Sequence, residues 1–184
     1  MLRYLTAGES HGKSLTGILD GFPAGVKIDA ARIARLLARR RLAPGRSARQ
    51  ELEQDAVEIT GGVSKGFTTG APIALIMPNA AGLPGRADPW IVNPGHADLA
   101  GSLKYAVPPA LIRERASARE TAMRVALGAV AKALLAEAGI HCVAQVLAIG
   151  RISARPTRLS PERLARAVER SSVRCAIPAA SASM

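Results

Sequence analysis

Apolar residues alternate with polar ones or cluster between glycines at several places in the chain, and these patterns predict short β-strands. The first two predicted strands, Leu2–Thr6 and Ser14–Asp20, flank the turn GESHG. Residues 57–62 alternate before ending in a glycine pair, which predicts a third strand. The continuous apolar run at 72–77 predicts a buried strand.

Three segments carry apolar residues at helical spacing. The first, residues 29–41, begins with an aspartate as its N-cap and ends before a Pro-Gly pair. In the second, residues 117–139, Ser117 and Glu120 have the spacing of a capping box, and a glycine closes the pattern. The third begins at Ser160, with proline at the first helical position.

The remaining segments predict connections and one further strand. Residues 79–94 are rich in proline, glycine and asparagine, which predicts a long surface loop. Residues 140–152 are mostly apolar and predict a buried strand, while residues 175–184 form a tail of small residues without periodicity. No internal repeat or second domain boundary interrupts this order. The pattern therefore predicts one domain of mixed α/β packing.

The composition is that of a soluble globular protein. Of 184 residues, 48% are hydrophobic and 21% are charged. The apolar runs are too short to cross a membrane, and the first residues lack the features of a secretory signal, so a cytoplasmic location is expected. Cys142 and Cys175 belong to no CxxC or His/Cys cluster, which favours reduced structural thiols.

The formal net charge of +11 is carried mostly by arginine and implies an anionic partner. Arginine matches the geometry of phosphate and carboxylate, so defined oxyanion contacts are favoured over a diffuse field. Aromatic residues make up only 3% of the chain, which argues against nucleic-acid binding through stacked bases. Binding of a duplex through phosphate contacts alone stays open.

The three histidines differ in their surroundings. His141 falls in the predicted apolar strand, which favours a structural role. His11 and His96 lie in the glycine-bearing loops GESHG and NPGHAD, where backbone can approach a ligand closely. Histidine suits proton transfer near neutral pH, so both are candidate catalytic residues.

Other chemistries receive less support from the sequence. A serine nucleophile at Ser10 beside His11 is disfavoured, because adjacent side chains in an extended segment point apart. A metal site made by His11, His96 and Asp98 would need ligands from distant loops, and no metal is expected. The fingerprints of nucleotide and dinucleotide cradles are also lacking.

Two arginine clusters suggest anion binding. The arginines at the end of the first predicted helix complement its dipole, but Arg46 and Arg49 lie beyond the turn and would surround an anion if the turn folds back. Arg113, Arg115 and Arg119 lie at the predicted start of the second helix. Positive charge opposes the dipole there, which is unfavourable unless an anion binds.

Four motifs, taken together and in order, resemble those of the chorismate synthase family. They are GESHGKSLTGILDGFP, RRRLAPGRSARQELEQD, NPGHADLAGSLKY and RASARETAMRVALGAVAK. The resemblance covers residues 1–174. Several long motifs at once make it far more specific than any single short pattern.

The resemblance implies conversion of 5-enolpyruvylshikimate 3-phosphate to chorismate, with loss of phosphate and a proton and a requirement for reduced FMN. It implies that His11 is the acid for phosphate departure and that His96 serves the reduced flavin. Arg40 and Arg46 match positions that contact NADP in forms that reduce their own flavin, or they could meet substrate phosphate. The FMN-contacting stretch corresponds to Arg115, Ala116 and Ser117.

The fold implied by the resemblance is α+β, a β-α-β sandwich with helices packed between sheets, assembled as a homotetramer. The chain departs from the family at Asn93, where arginine is usual, and in the linker 105–120. It matches an N-terminal half, so we expect an incomplete form that is inactive alone. A further hypothesis is a fragment that is unable to fold alone. The alternative function is a non-catalytic basic module that binds phosphate-rich ligands or nucleic acid.

Overall fold

The computed structural model describes residues 1–42, 55–80 and 88–184. The strands in these ranges are β1 (Arg3–Gly8), β2 (Ser14–Asp20), β3 (Glu58–Gly61), β4 (Val63–Ser64), β5 (Phe67–Thr68), β6 (Ile73–Pro78), β7 (Ala148–Ile149) and β8 (Ile152–Ser153). The helices are α1 (Ala30–Arg41), α2 (Asp98–Tyr105), α3 (Pro109–Arg115), α4 (Glu120–Glu137), α5 (Pro161–Glu169) and α6 (Pro178–Ser183). Within these ranges, no helix is both long and apolar enough to cross a membrane.

The main sheet is antiparallel, with strand order β1-β2-β6-β3. Leu15 pairs with Met77, and Leu19 pairs with Ile73, so their side chains share one face. These four residues are at most 3% exposed. The opposite face is more open, and Ile18 on β2 is 39% exposed. The sheet therefore buries one face. The apolar residues that alternate along β2 lie on that face.

Helices α1 and α4 pack against each other, and α4 also packs on β1 and β2. α1 begins where the Asp29 carboxylate accepts a hydrogen bond from the Ala31 N–H at 2.9 Å, as expected of an N-cap. α4 approaches β2 closely at Gly17, where an added Cβ would lie 2.6 Å from Met123 Sδ. The hydrophobic core is thus the layer between this helix pair and the sheet.

Several predicted elements are confirmed. The second strand and the first helix have the predicted bounds, and the apolar run at 72–77 lies in the buried strand β6. α5 begins as predicted, with the Ser160 hydroxyl accepting from the Arg163 N–H. The combination of a sheet and packed helices confirms the α+β class.

The predicted buried strand at 140–152 is wrong. α4 ends at Glu137, and Gly139 turns the chain with a φ of +68°. The segment that follows forms only the two-residue strands β7 and β8, both exposed. Among the described residues, β7 and β8 pair only with each other. The apolar residues of this segment are therefore not buried in a larger sheet. His141 is consequently exposed rather than buried in a strand.

The predicted capping box at Ser117 is also wrong. α4 begins at Glu120, and the Ser117 hydroxyl instead accepts from the Arg119 N–H at 3.3 Å. The short helices α2 and α3 precede it, and neither is long enough to show a helical period in the sequence. Arg113 and Arg115 therefore lie in the last turn of α3, where their charge complements the helix dipole rather than opposing it.

The last segment packs on β8 and on the turn that follows α5. The Ser171 and Ser181 hydroxyls are 2.7 Å apart, and Val168 and Cys175 are 1% and 2% exposed. α6 occupies most of the tail that showed no periodicity, and it begins with proline. Both cysteines are free thiols, Cys175 buried and Cys142 exposed, so the predicted absence of a disulfide between them is confirmed.

Replacing Gly17 with alanine should lower the free energy of unfolding by about 1–3 kcal/mol, the usual cost of overpacking a core. The new methyl group would press on Met123 and Leu127. Gly128 provides the control, because it is exposed on α4 and an added Cβ would meet no atom within 4 Å. Gly128→Ala should stabilise by about 0.5–1 kcal/mol through helix propensity. Urea denaturation measures both, and a Gly17→Ala protein as stable as the parent would contradict the packing described.

Candidate functional site

The GESHG turn is held by the end of α3. Glu114 approaches His11 Nδ1 with both carboxylate oxygens, at 2.8 and 3.0 Å, and also accepts the His11 backbone N–H at 2.7 Å. The Ser10 N–H donates to the Glu114 carbonyl at 3.1 Å. The side chains of His11 and Glu114 are 20% and 22% exposed. The imidazole is therefore fixed in orientation and partly accessible.

His96 also has a carboxylate partner. Its Nδ1 lies 2.5 Å from Oδ1 of Asp98, whose side chain is fully buried. The other oxygen of Asp98 accepts from the Asn93 N–H at 3.0 Å and from two nitrogens of Arg113 at 2.9 and 2.7 Å. Burial by itself would raise the pKa of Asp98, but these hydrogen bonds outweigh it and hold the pKa below the ordinary value of 3.8.

Consecutive residues of α3 therefore reach the two histidine loops. Glu114 binds His11 directly, and Arg113 binds Asp98, which binds His96. The next residue, Arg115, places its guanidinium 5.0 Å from the ring centroid of Tyr105. α3 thus contacts both histidine loops and leads directly into residues 115–117.

A buried ion cluster lies beside the GESHG turn. The Asp55 carboxylate is fully buried and forms an ion pair with Arg119, while Arg40 Nη1 lies 3.6 Å from its second oxygen. Arg119 Nε also donates to the Asn79 side-chain oxygen at 2.8 Å. The Asn79 amide nitrogen donates to two carbonyls of the turn, those of Glu9 and Gly12, at 3.0 and 2.8 Å. The turn is thereby linked to the cluster.

A polar cleft of about 690 Å³ lies next to this turn. Its lining comes from residues 6–9, from residues 115–118 and from the first turns of α4. The three residues of the predicted FMN stretch, Arg115, Ala116 and Ser117, all belong to it. Exposed arginine and hydroxyl donors together are suited to a phosphate group.

The predicted site residues are only partly brought together. Arg40 is directed at Asp55 and donates to the Ala118 carbonyl at 2.9 Å, which leaves its side chain 9% exposed. Arg46 lies outside the described residues. His141 lines a separate and larger groove of about 950 Å³ between α1, α4 and α5, to which none of the described predicted site residues contributes.

Sequence reasoning missed the residues that hold the site. Asp55, Asn79 and Glu114 have no local pattern that marks them, because each acts on a partner far along the chain. Asp98 had one signal, its position two residues after His96. That position suggests only a metal ligand, whereas Asp98 binds His96 and Arg113. Across the described ranges, no group of three His, Cys, Asp or Glu residues is placed to hold a metal.

A loop histidine oriented by a carboxylate, in a turn that borders a cleft with hydrogen-bond donors suited to phosphate, is typical of enzymes that use acid–base chemistry on small anionic molecules. Comparison with known proteins specifies the class further. A family model for chorismate synthase matches residues 2–184. The chain therefore belongs to the chorismate synthase family, which consists of lyases of aromatic amino-acid biosynthesis.

Individual relatives support this family assignment. The chorismate synthase of Parafrankia sp. (strain EAN1pec) is 44% identical over 205 residues, covering 100% of this chain and 52% of the relative. The chorismate synthase of Anaeromyxobacter sp. (strain K) is 48% identical over 169 residues, covering 84% of this chain and 44% of the relative. A crystal structure of chorismate synthase superimposes with a TM-score of 0.75 at 38% identity, covering 99% of this chain and 50% of that one.

These matches confirm the family and the fold type that the motifs predicted. The chain spans about half the length of the curated relatives it matches. The described part contains a four-stranded sheet with helices packed on one face.

Asp55→Asn should lower the free energy of unfolding by about 3–5 kcal/mol, because it leaves Arg119 and Arg40 near a neutral group. Asparagine keeps the shape of the side chain and tolerates the positive φ of +51° at this position, so the charge is the main change. Asp29→Asn is the matched control, since asparagine caps helices as well as aspartate and little change is expected. Equal stability of the two variants would contradict the role of the cluster.

Asp98 should make stability depend on pH in the acid range. Its pKa is lowered in the folded state, so its contribution is complete above about 3.8 and is lost as the pH falls through the folded value. The parent should lose stability over this interval, and Asp98→Asn should lose correspondingly less. Denaturant midpoints measured at several pH values test this, with Asp20→Asn at the exposed end of β2 as the control. Parallel curves for the parent and Asp98→Asn would rule out the assigned role.

Proposed function

We propose that this chain supplies the part that it spans of a chorismate synthase, an enzyme that eliminates phosphate from 5-enolpyruvylshikimate 3-phosphate to give chorismate. The observation that carries the proposal is the His11–Glu114 pair, which places an oriented imidazole in the turn that borders the polar cleft. Family membership supports the reaction class.

His11 would act as the acid. An imidazolium near the scissile oxygen donates a proton as phosphate leaves, which lowers the cost of expelling a multiply charged group. Because Nδ1 faces the Glu114 carboxylate, we assign this transfer to Nε2. His96 would serve the reduced flavin, with its ring oriented by Asp98.

The polar cleft fits the phosphate end of FMN. Arg115 supplies a positive donor whose guanidinium is braced by the Tyr105 ring, and Ser117 supplies a hydroxyl group. Arg124 also lines the cleft but forms an ion pair with Glu120 at 2.7 Å. Reduced FMN, when bound, supplies the electronic step of the elimination without net redox change.

Further assignments belong to the same proposal. NADPH would contact Arg40 and Arg46 in a form that reduces its own flavin, although the 9% exposure of the Arg40 side chain allows only a small contact. We also propose a homotetramer in the cytoplasm. The competing function, a basic module for phosphate-rich ligands or nucleic acid, draws on the net charge of +11.

The activity test uses the substrate, photoreduced FMN and the chain, with and without the C-terminal half of the Parafrankia relative. The chain alone should give no chorismate, and the mixture should give turnover. In the mixture, His11→Ala should reduce kcat by about 10²- to 10⁴-fold, the usual contribution of a general acid. His141→Ala is the control and should be neutral, because this histidine is exposed in the separate groove.

Two outcomes would overturn the proposal. Full activity of the His11→Ala mixture would remove His11 from the reaction. No turnover in the mixture, together with retention of nucleic acid that weakens steeply with salt, would favour the basic binding module.

A further inference from the structure

We infer that Glu114 is a positioning residue that holds the proton of neutral His11 on Nδ1 and so reserves Nε2 for chemistry. The inference rests on the proposed function for its catalytic meaning, but the proton position itself follows from the contacts of the two side chains. Neither residue type nor spacing marked Glu114 in the sequence.

The contacts of Glu114 leave little freedom to the turn. Its Oε1 and Oε2 lie 2.8 and 3.0 Å from His11 Nδ1, and its Oε2 also accepts the His11 backbone N–H at 2.7 Å. Its carbonyl accepts the Ser10 N–H at 3.1 Å. One residue thus receives two backbone donors and one ring nitrogen. Side chain and backbone of the turn are therefore set by the same group.

An ionised carboxylate has only acceptor atoms. The ring nitrogen facing it must therefore carry hydrogen in both the neutral and the protonated imidazole. In the neutral ring, Nε2 has a lone pair and can take up a proton. In the protonated ring, the second N–H is on Nε2, and under the proposed function it is the group that would donate to the leaving oxygen. A carboxylate that fixes the tautomer of a catalytic histidine in this way is an established device in enzymes.

Glu114 is itself held in place by its helix. Arg113, the preceding residue, binds the fully buried Asp98 with two nitrogens and the Ile91 carbonyl at 2.6 Å. Rotation or fraying of the last turn of α3 would break these bonds. The carboxylate is therefore presented to His11 from a fixed backbone. Both carboxylate oxygens of Glu114 are directed at His11, so it would act through His11 rather than on a substrate.

A purely structural tie would bring the loop and helix together without controlling the ring proton. Nitrogen NMR of the imidazole separates these roles, because protonated and unprotonated ring nitrogens have distinct chemical shifts. Only three histidines are present, so His96→Gln and His141→Gln variants assign the signals. At a pH where His11 is neutral, the intact chain should show Nδ1 protonated and Nε2 unprotonated.

Glu114→Gln keeps the size of the side chain but removes its charge and adds an amide that can donate to Nδ1. The population with hydrogen on Nε2 should then rise clearly. Glu137→Gln, at the exposed C-terminal end of α4, is the matched control and should leave the His11 signals unchanged. If Glu114→Gln fails to fold, Glu114→Asp provides the same measurement. It withdraws the carboxylate by one methylene group, and the population of His11 with hydrogen on Nε2 should then rise in part.

In the complemented mixture, Glu114→Gln should lower kcat about 100-fold with little change in KM, as expected when a catalytic group is misplaced. Glu114→Asp should recover part of the loss. The inference is overturned if the intact chain carries hydrogen on Nε2, or if Glu114→Gln keeps it on Nδ1. The expected tautomers without any chorismate formation would instead count against the proposed function and leave the ring assignment intact.

Discussion

The fully buried carboxylate of Asp55 is the constraint on which the arrangement of the site depends. A buried charge is costly unless it is paired, so the folded chain must bring cations to it. Arg119 comes from the start of α4 and Arg40 from the end of α1. Through Asn79, Arg119 is also linked to the GESHG turn. One unfavourable group thus determines the relative positions of two helices, the end of β6 and a histidine loop.

Asp98 repeats the arrangement in the second loop. It too is fully buried, binds an arginine and is linked to a histidine, this time directly. In both cases the buried carboxylate stays away from the cleft and the histidine stays partly exposed. Partial exposure suits a proton donor, because one side of the ring is held by the protein while the ring is still accessible to a ligand. The fold therefore separates the groups that supply rigidity from those that supply chemistry.

The sequence predicted the features that depend on residues close together along the chain. The β2 alternation, the N-cap at Asp29 and the Ser-Pro start of α5 involve neighbours along the chain, and all three are confirmed. The helices α2 and α3 are too short to show a period, and the run at 140–152 needed a partner strand that its own residues cannot specify. Similarly, the motifs located His11, whereas Glu114 lies 103 residues away and no local pattern connects them.

The arginines show how a correct electrostatic argument can lead to the wrong ligand. A cation at a helix start does require a nearby anion, and Arg119 at the start of α4 has one. That anion is Asp55 of the same chain. Arg113 is likewise neutralised internally, by Asp98. Arg115 differs because its guanidinium lies over the ring of Tyr105 and the residue lines the polar cleft. Net charge alone therefore overstates the anion-binding surface, and the arginines that matter for ligands are those that the protein's own carboxylates leave exposed.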